Sequence, residues 1–150
     1  IQCNFCSYVC PHAVIRPVVM TEEEAAKAPA GMKKVPMTGM PGMYFAMTVS
    51  ALDCTGCGSC ANVCPGKKGE KALTMGGLEA NKGEQELFNY GQTLAEKPEV
   101  LAKFKDTTVK GSQFHKPLLE FSGALREAGD AAVRRQNVHR QRHGLLLHLG

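Results

Sequence analysis

Tryptophan is absent from this sequence, and its aromatic residues are six Phe and three Tyr in 150 positions. A chain so short of large side chains builds a modest core, and 16 Gly and 8 Pro point to a loop-rich fold of the kind held by covalent or metal staples. No apolar run reaches transmembrane length and no secretory signal is recognisable, so the expected setting is reducing, cytoplasmic and away from membranes. An eighth cysteine is also missing: seven, at tight spacings, leave any disulfide scheme one partner short and argue for metal ligation. Two further scarcities concern charge. Arg16 is the one arginine before residue 125, and lysine is lacking from 125–150, where five Arg stand.

What is present is a repeat. QCNFCSYVCP (2–11) aligns with GCGSCANVCP (56–65) at an offset of 54, placing Cys3 on Cys57, Cys6 on Cys60, Cys10 on Cys64 and Pro11 on Pro65. The second copy carries an extra cysteine, Cys54, whose counterpart falls immediately before Ile1, so the sequence is expected to begin inside a motif. A C-x-x-C-x-x-C run wraps three thiolates around one [4Fe–4S] cluster, and in two-cluster ferredoxins the cysteine before the proline ligates the other cluster. Applied here, cluster one takes Cys3, Cys6 and Cys64 plus the cysteine expected before Ile1, and cluster two takes Cys54, Cys57, Cys60 and Cys10. Gly56 and Gly58 permit close turns whose N–H groups can donate to cluster sulfurs, while Val9, Val63, Ile15 and Leu73 are expected to form a dry shell. Structural zinc is the plainer reading of paired C-x-x-C. It needs only four ligands per ion, however, and has no use for a third cysteine followed by C-P, twice.

The rest of the pattern predicts an α+β fold: a bacterial two-[4Fe–4S] ferredoxin-like module over 1–80, with a long insertion at about 17–50 and irregular flanks. HAVIRPVV (12–19) reads as a strand that Pro17 confines to an edge, and TEEEAAKA (21–28) as a Thr-capped helix. PAGMKKVPMTGMPGM (29–43) reads as a loop or arm, its Met residues suited to adaptable apolar packing, and YFAMTVSALD (44–53) as partly extended. KALTM (71–75) is a strand, 84–97 a helix that stops before Pro98, and 109–124 a docking segment with Phe114, Leu118, Leu119 and Phe121. His12 reads as a local structural donor. Lys67, Lys68 and Lys71 read as a solvated face, with a basic rim for an acidic carrier as the sharper alternative.

IQCNFCSYVCPHAVIRP, DCTGCGSCANVCP followed by KALTM and LE, and VKGSQFHKPLLEFSGA together resemble the pyruvate:ferredoxin (flavodoxin) oxidoreductases over about residues 1–124. The resemblance implies oxidative decarboxylation of pyruvate with coenzyme A to acetyl-CoA and CO2, by thiamine diphosphate with Mg2+. Electrons then pass through three [4Fe–4S] clusters, two on a domain similar to this one, to ferredoxin or flavodoxin. It further implies a homodimeric enzyme, with pyruvate and coenzyme A bound elsewhere and residues 81–124 leading to a thiamine-binding domain. Neither the substrate pockets nor the thiamine motif has a counterpart here, so no catalytic residue is assigned. Where the family continues after LEFSGA with a cysteine-rich stretch for the third cluster, this chain reads LREAGDAAVRRQNVHRQRHGLLLHLG. With the switch from lysine to arginine, that departure makes 125–150 an expected out-of-frame or disordered tail. An arginine-rich nucleic-acid arm is the reading weighed against it, and a metal site on His139, His143 and His148 lacks cysteine or carboxylate support. The alternatives for the whole are a two-cluster domain of a related 2-oxoacid enzyme and, in a different class, a zinc-stabilised nucleic-acid-binding module.

Overall fold

The computed structural model describes residues 2–115 and the backbone of 145–149. The expected docking residues Leu118, Leu119 and Phe121 lie outside the described residues, as does the tail up to residue 144. The chain opens with α1 (Phe5–Val9), inside the first cysteine motif, and turns into β1 (Ile15–Thr21). After α2 (Glu22–Lys27) come β2 (Val35–Pro36) and β3 (Met43–Val49), then a 3-10 turn at Ala51–Asp53 and α3 (Ser59–Val63), inside the second motif. β4 (Leu73–Gly77) leads to four helices, α4 (Leu78–Asn81), α5 (Glu84–Gln92), α6 (Pro98–Lys103) and α7 (Val109–Phe114), and β5 (Leu145–Leu149) pairs antiparallel with β4.

The residues between the motifs form an antiparallel sheet of order β1-β3-β2, with Ile15 opposite Val49 and Thr21 opposite Met43. Pro17 does lie on an edge strand, but the strand runs on through it to Thr21, because an edge strand tolerates a missing donor that faces away from its single neighbour. Residues 15–20 are buried without interruption, since both faces of β1 are covered. Val18 and Met20 pack with Ala25, Ala46 and Leu87, while Val19, on the opposite face by the two-residue period, packs with Met37, Phe45 and Val100. The methionine-rich arm thus supplies Met32 to one core and Met37 to the other.

Thr21 starts α2 through a capping box: Glu24 N donates to Thr21 Oγ1 at 3.3 Å and Thr21 N to Glu24 Oε2 at 2.8 Å. The single helix expected over 84–97 is instead two. α5 ends at Gln92, where Gly91 lies against Val18 and Thr48 and Thr93 Oγ1 donates to the Tyr90 carbonyl. Pro98 then occupies the first turn of α6, so it starts a helix where the sequence reading had it end one. A third core, which holds the site, gathers Cys6, Cys10, Cys54 and Cys60 with Val14, Ile15, Val49, Ala51 and Leu73.

Candidate metal centre

The two motifs share backbone conformation as well as sequence. Asn4 (φ 62°) and Gly58 (φ 77°) are left-handed residues that open α1 and α3, and Gln2 (φ 57°) and Gly56 (φ 71°) are left-handed two positions earlier. Each helix ends on an extended cysteine, Cys10 at φ −71°, ψ 113° and Cys64 at φ −63°, ψ 116°. The two short helices pack against each other, which brings the two motifs together. Only the glycines of the second copy stood out in the sequence. Gln2 and Asn4 were the residues missed, although the offset of 54 places them on Gly56 and Gly58.

The thiols lie close enough to act on one another, Cys60 both on the thiols around it and on Cys6. Burial pushes the Cys60 thiol up to about 11, and the thiols that add to this electrostatically are Cys10, Cys54 and Cys57. Burial likewise pushes Cys6 up to about 12, with Cys3, Cys60 and Cys64 adding to it. Cys10, Cys54, Cys57 and Cys60 also line a single cavity, closed on its apolar side by Val14 and Met75 and at its rim by Pro11 and His12. Among the described residues, no three His, Cys, Asp or Glu side chains close on a point where one ion could touch them all. A set of thiols that shares one cavity with apolar side chains fits a soft metal group held by cysteine sulfur.

The surroundings differ from expectation in two respects. Ile15 and Leu73 are buried against the cysteines, whereas Val63 is 37% exposed and Val9 only partly covered, because each lies on the outer side of its short helix. The dry shell is built from Val14, Val49 and Ala51 in their place. Lys71 is not a free member of a basic rim: its Nζ donates to the carbonyls of Ala61 at 2.6 Å and Asn62 at 3.2 Å, capping the end of α3. Lys67 and Lys68 remain exposed, and so does His12. Cys57 is the exposed ligand candidate, and hydrogen bonds from the amide and hydroxyl of Ser59 hold its thiol below the usual range.

Over the first motif lies α7. Asn4 Nδ2 donates to the Lys110 carbonyl at 3.0 Å. Ser7 Oγ stands 2.8 Å from both the Ile15 carbonyl and the Gln113 side-chain amide, with Ser7 and Gln113 each buried. The Ser7 hydroxyl thus donates its one proton between two acceptors, the Ile15 carbonyl and Gln113 Oε1, while Gln113 Nε2 donates to Ser112 Oγ at 3.1 Å. Phe114 meets the Phe45 ring edge-on at 6.4 Å and Phe104 at 5.6 Å, packing within this chain.

A family model described as a 4Fe-4S dicluster domain matches residues 1–68. The chain is 50% identical over 129 residues to a pyruvate-flavodoxin oxidoreductase of Enterobacter agglomerans, a match covering 86% of this chain and 11% of the relative. It is 49% identical over 133 residues to a pyruvate:ferredoxin oxidoreductase of Moorella thermoacetica, covering 87% and 11%. A pyruvate dehydrogenase [NADP(+)] of Cryptosporidium parvum is 44% identical over 133 residues, covering 86% and 6%. Each of these relatives is named for oxidation of pyruvate, and in each the matching segment is about a tenth of the protein or less.

Proposed function

Starting from homology to a fragment of the pyruvate-flavodoxin and pyruvate:ferredoxin oxidoreductases, we propose that this chain is the electron relay of such an enzyme. It would hold two [4Fe–4S] clusters with crossed ligands. Cys54, Cys57, Cys60 and Cys10 serve one; Cys3, Cys6 and Cys64 serve the other, with an eighth cysteine just upstream of Ile1. Iron–sulfur clusters supply reversible one-electron transfer, with potentials set by net charge, hydrogen bonds to sulfur and solvent exposure. The full reaction takes pyruvate and coenzyme A to acetyl-CoA, CO2, a proton and a pair of electrons, on thiamine diphosphate with Mg2+ and a third cluster in parts of the enzyme outside this chain. The pair leaves one electron at a time to ferredoxin or flavodoxin.

The single observation that carries this reading is the mixed origin of the sulfur set: Cys10, from the first motif, lines one cavity with Cys54, Cys57 and Cys60 from the second. Such sharing ties the two halves together and keeps two clusters close enough for rapid exchange. Within the relay, the apolar residues around the cysteines exclude water, and the left-handed residues let the backbone turn tightly beside them. The exposed side of Cys57, beside polar Thr55 and Ser59, gives a carrier its shortest approach to a sulfur. The residues between motifs act as an insertion that braces the module. The sheet-covering helices and α7 continue it toward a thiamine-binding domain, and 125–150 is taken as an out-of-frame tail, although its residues 145–149 pair with β4.

Anaerobic reconstitution tests the proposal. With the eighth cysteine restored before Ile1, the chain is expected to take up about eight iron and about eight labile sulfide. Uptake of zinc without sulfide would overturn it.

A further inference from the structure

Gln2 and Asn4 stand where the second motif has glycine, and glycine is the residue that adopts a left-handed backbone without penalty. Asparagine tolerates that conformation and glutamine does so less readily, so the left-handed turns of the first loop need a support that the glycine turns of the second do not. Both side chains reach out of the motif to find it. Gln2 Nε2 donates to the Pro36 carbonyl at 2.8 Å, and Gln2 Oε1 accepts from Thr38 N at 3.0 Å, a two-point clasp on the loop after β2. Asn4, only 1% exposed, donates from Nδ2 to the Lys110 carbonyl on α7. The second loop has no such clasp: Gly56 and Gly58 carry no side chain, and open space surrounds the position where a Cβ would stand on Gly58.

We infer that Gln2 and Asn4 are positioning residues that hold the first cysteine loop by clasping it to residues 36–38 and to α7, making the left-handed turns around the first sulfur set depend on two segments far away in sequence, a tie that Gly56 and Gly58 do not make for the second. The inference deepens the relay reading and rests on it. Two cradles of equal backbone shape but unequal support give their clusters different resistance to loss. The clasped cradle is the one that movement of α7, or of whatever α7 leads to, can reach. Cys3 lies directly between the two clasps, so a slackened loop changes its sulfur first.

The test uses the chain with its eighth cysteine restored, in the wild-type form and as Gln2→Gly and Asn4→Gly. Glycine keeps the left-handed backbone allowed and removes only the clasp. In the iron-free chain, the Thr38 amide is expected to exchange its hydrogen at least several-fold faster in Gln2→Gly than in wild type. After reconstitution, iron loss to a chelator is expected to accelerate at least several-fold from one cluster, the one that Cys3→Ser abolishes, with a shifted midpoint potential for that cluster alone. Should Asn4→Gly prove unstable, Gln2→Gly at the more exposed site reads out the same effect. Clusters present with unchanged release rates and potentials in both variants overturn the inference and leave the relay standing. A wild-type chain that takes up no iron and sulfide overturns the relay reading, and with it the inference.

Discussion

Gly111 shows how little space separates α7 from the turn before it. A Cβ there would run into the Lys105 carbonyl oxygen and stand 2.8 Å from that of Phe104, while its N–H is held by Thr108 Oγ1 at 3.0 Å. Gly111→Ala is therefore expected to destabilise the fold by about 2 kcal/mol or more through backbone displacement, read as a lowered midpoint in urea or thermal unfolding. The displacement would also carry Gln113 and the Lys110 carbonyl away from Ser7 and Asn4. An unchanged midpoint would mean that α7 does not close against the turn at Phe104 and Lys105 as described. Nothing in VKGSQF announces this demand, because the contact is with residues that a sequence pattern does not bring near. The left-handed positions in the cysteine loops were more legible. Glycine marks two of them, and the offset of 54 places the other two, Gln2 and Asn4, on those glycines.

Element boundaries were legible where the signal is local. The Thr21–Glu24 capping box lies within four residues of sequence, and α2 begins where it says. The division of 84–97 into two helices is different: it depends on Gly91 meeting Val18 and Thr48 across the sheet, a tertiary contact that overrides the continuous propensity. The segment between α5 and α6 is in turn fastened to α2. Lys97 Nζ lies 2.9 Å from Glu24 Oε1, with the Lys97 side chain 11% exposed, and Tyr90 Oη donates to the Glu24 carbonyl at 2.6 Å. Burial works against the Glu24 charge, but hydrogen bonds from Lys97 and from the Thr21 amide outweigh it and hold the carboxyl below its ordinary 4.5. A depressed carboxylate contributes stability above its unfolded value and loses it as pH falls through its folded value. Lys97→Met is thus expected to cost about 1 kcal/mol above pH 4.5 and progressively less below it, measured as the difference from wild type in urea midpoints across pH. A difference that grows on acidification would contradict the assignment.

At the scale of the molecule, the fold is a mixed helix-and-strand structure with the cysteines at one of its three cores and a sheet between the motifs. The repeat made the cysteine core legible, since cluster ligands come at fixed spacings. The sheet was legible only as separate strands, since nothing in HAVIRPVV or YFAMTVSALD specifies which pairs with which. In the proposed crossing, Cys10 and Cys64 each serve the cluster of the opposite motif. The direct measurement is electron paramagnetic resonance of the reduced, reconstituted chain with its eighth cysteine restored, comparing Cys6→Ser, Cys10→Ser and Cys54→Ser. Crossing predicts that Cys10→Ser loses or alters the same cluster signal as Cys54→Ser and spares the one that Cys6→Ser removes. If Cys10→Ser instead strikes the same signal as Cys6→Ser, each motif ligates its own cluster and the central claim is wrong.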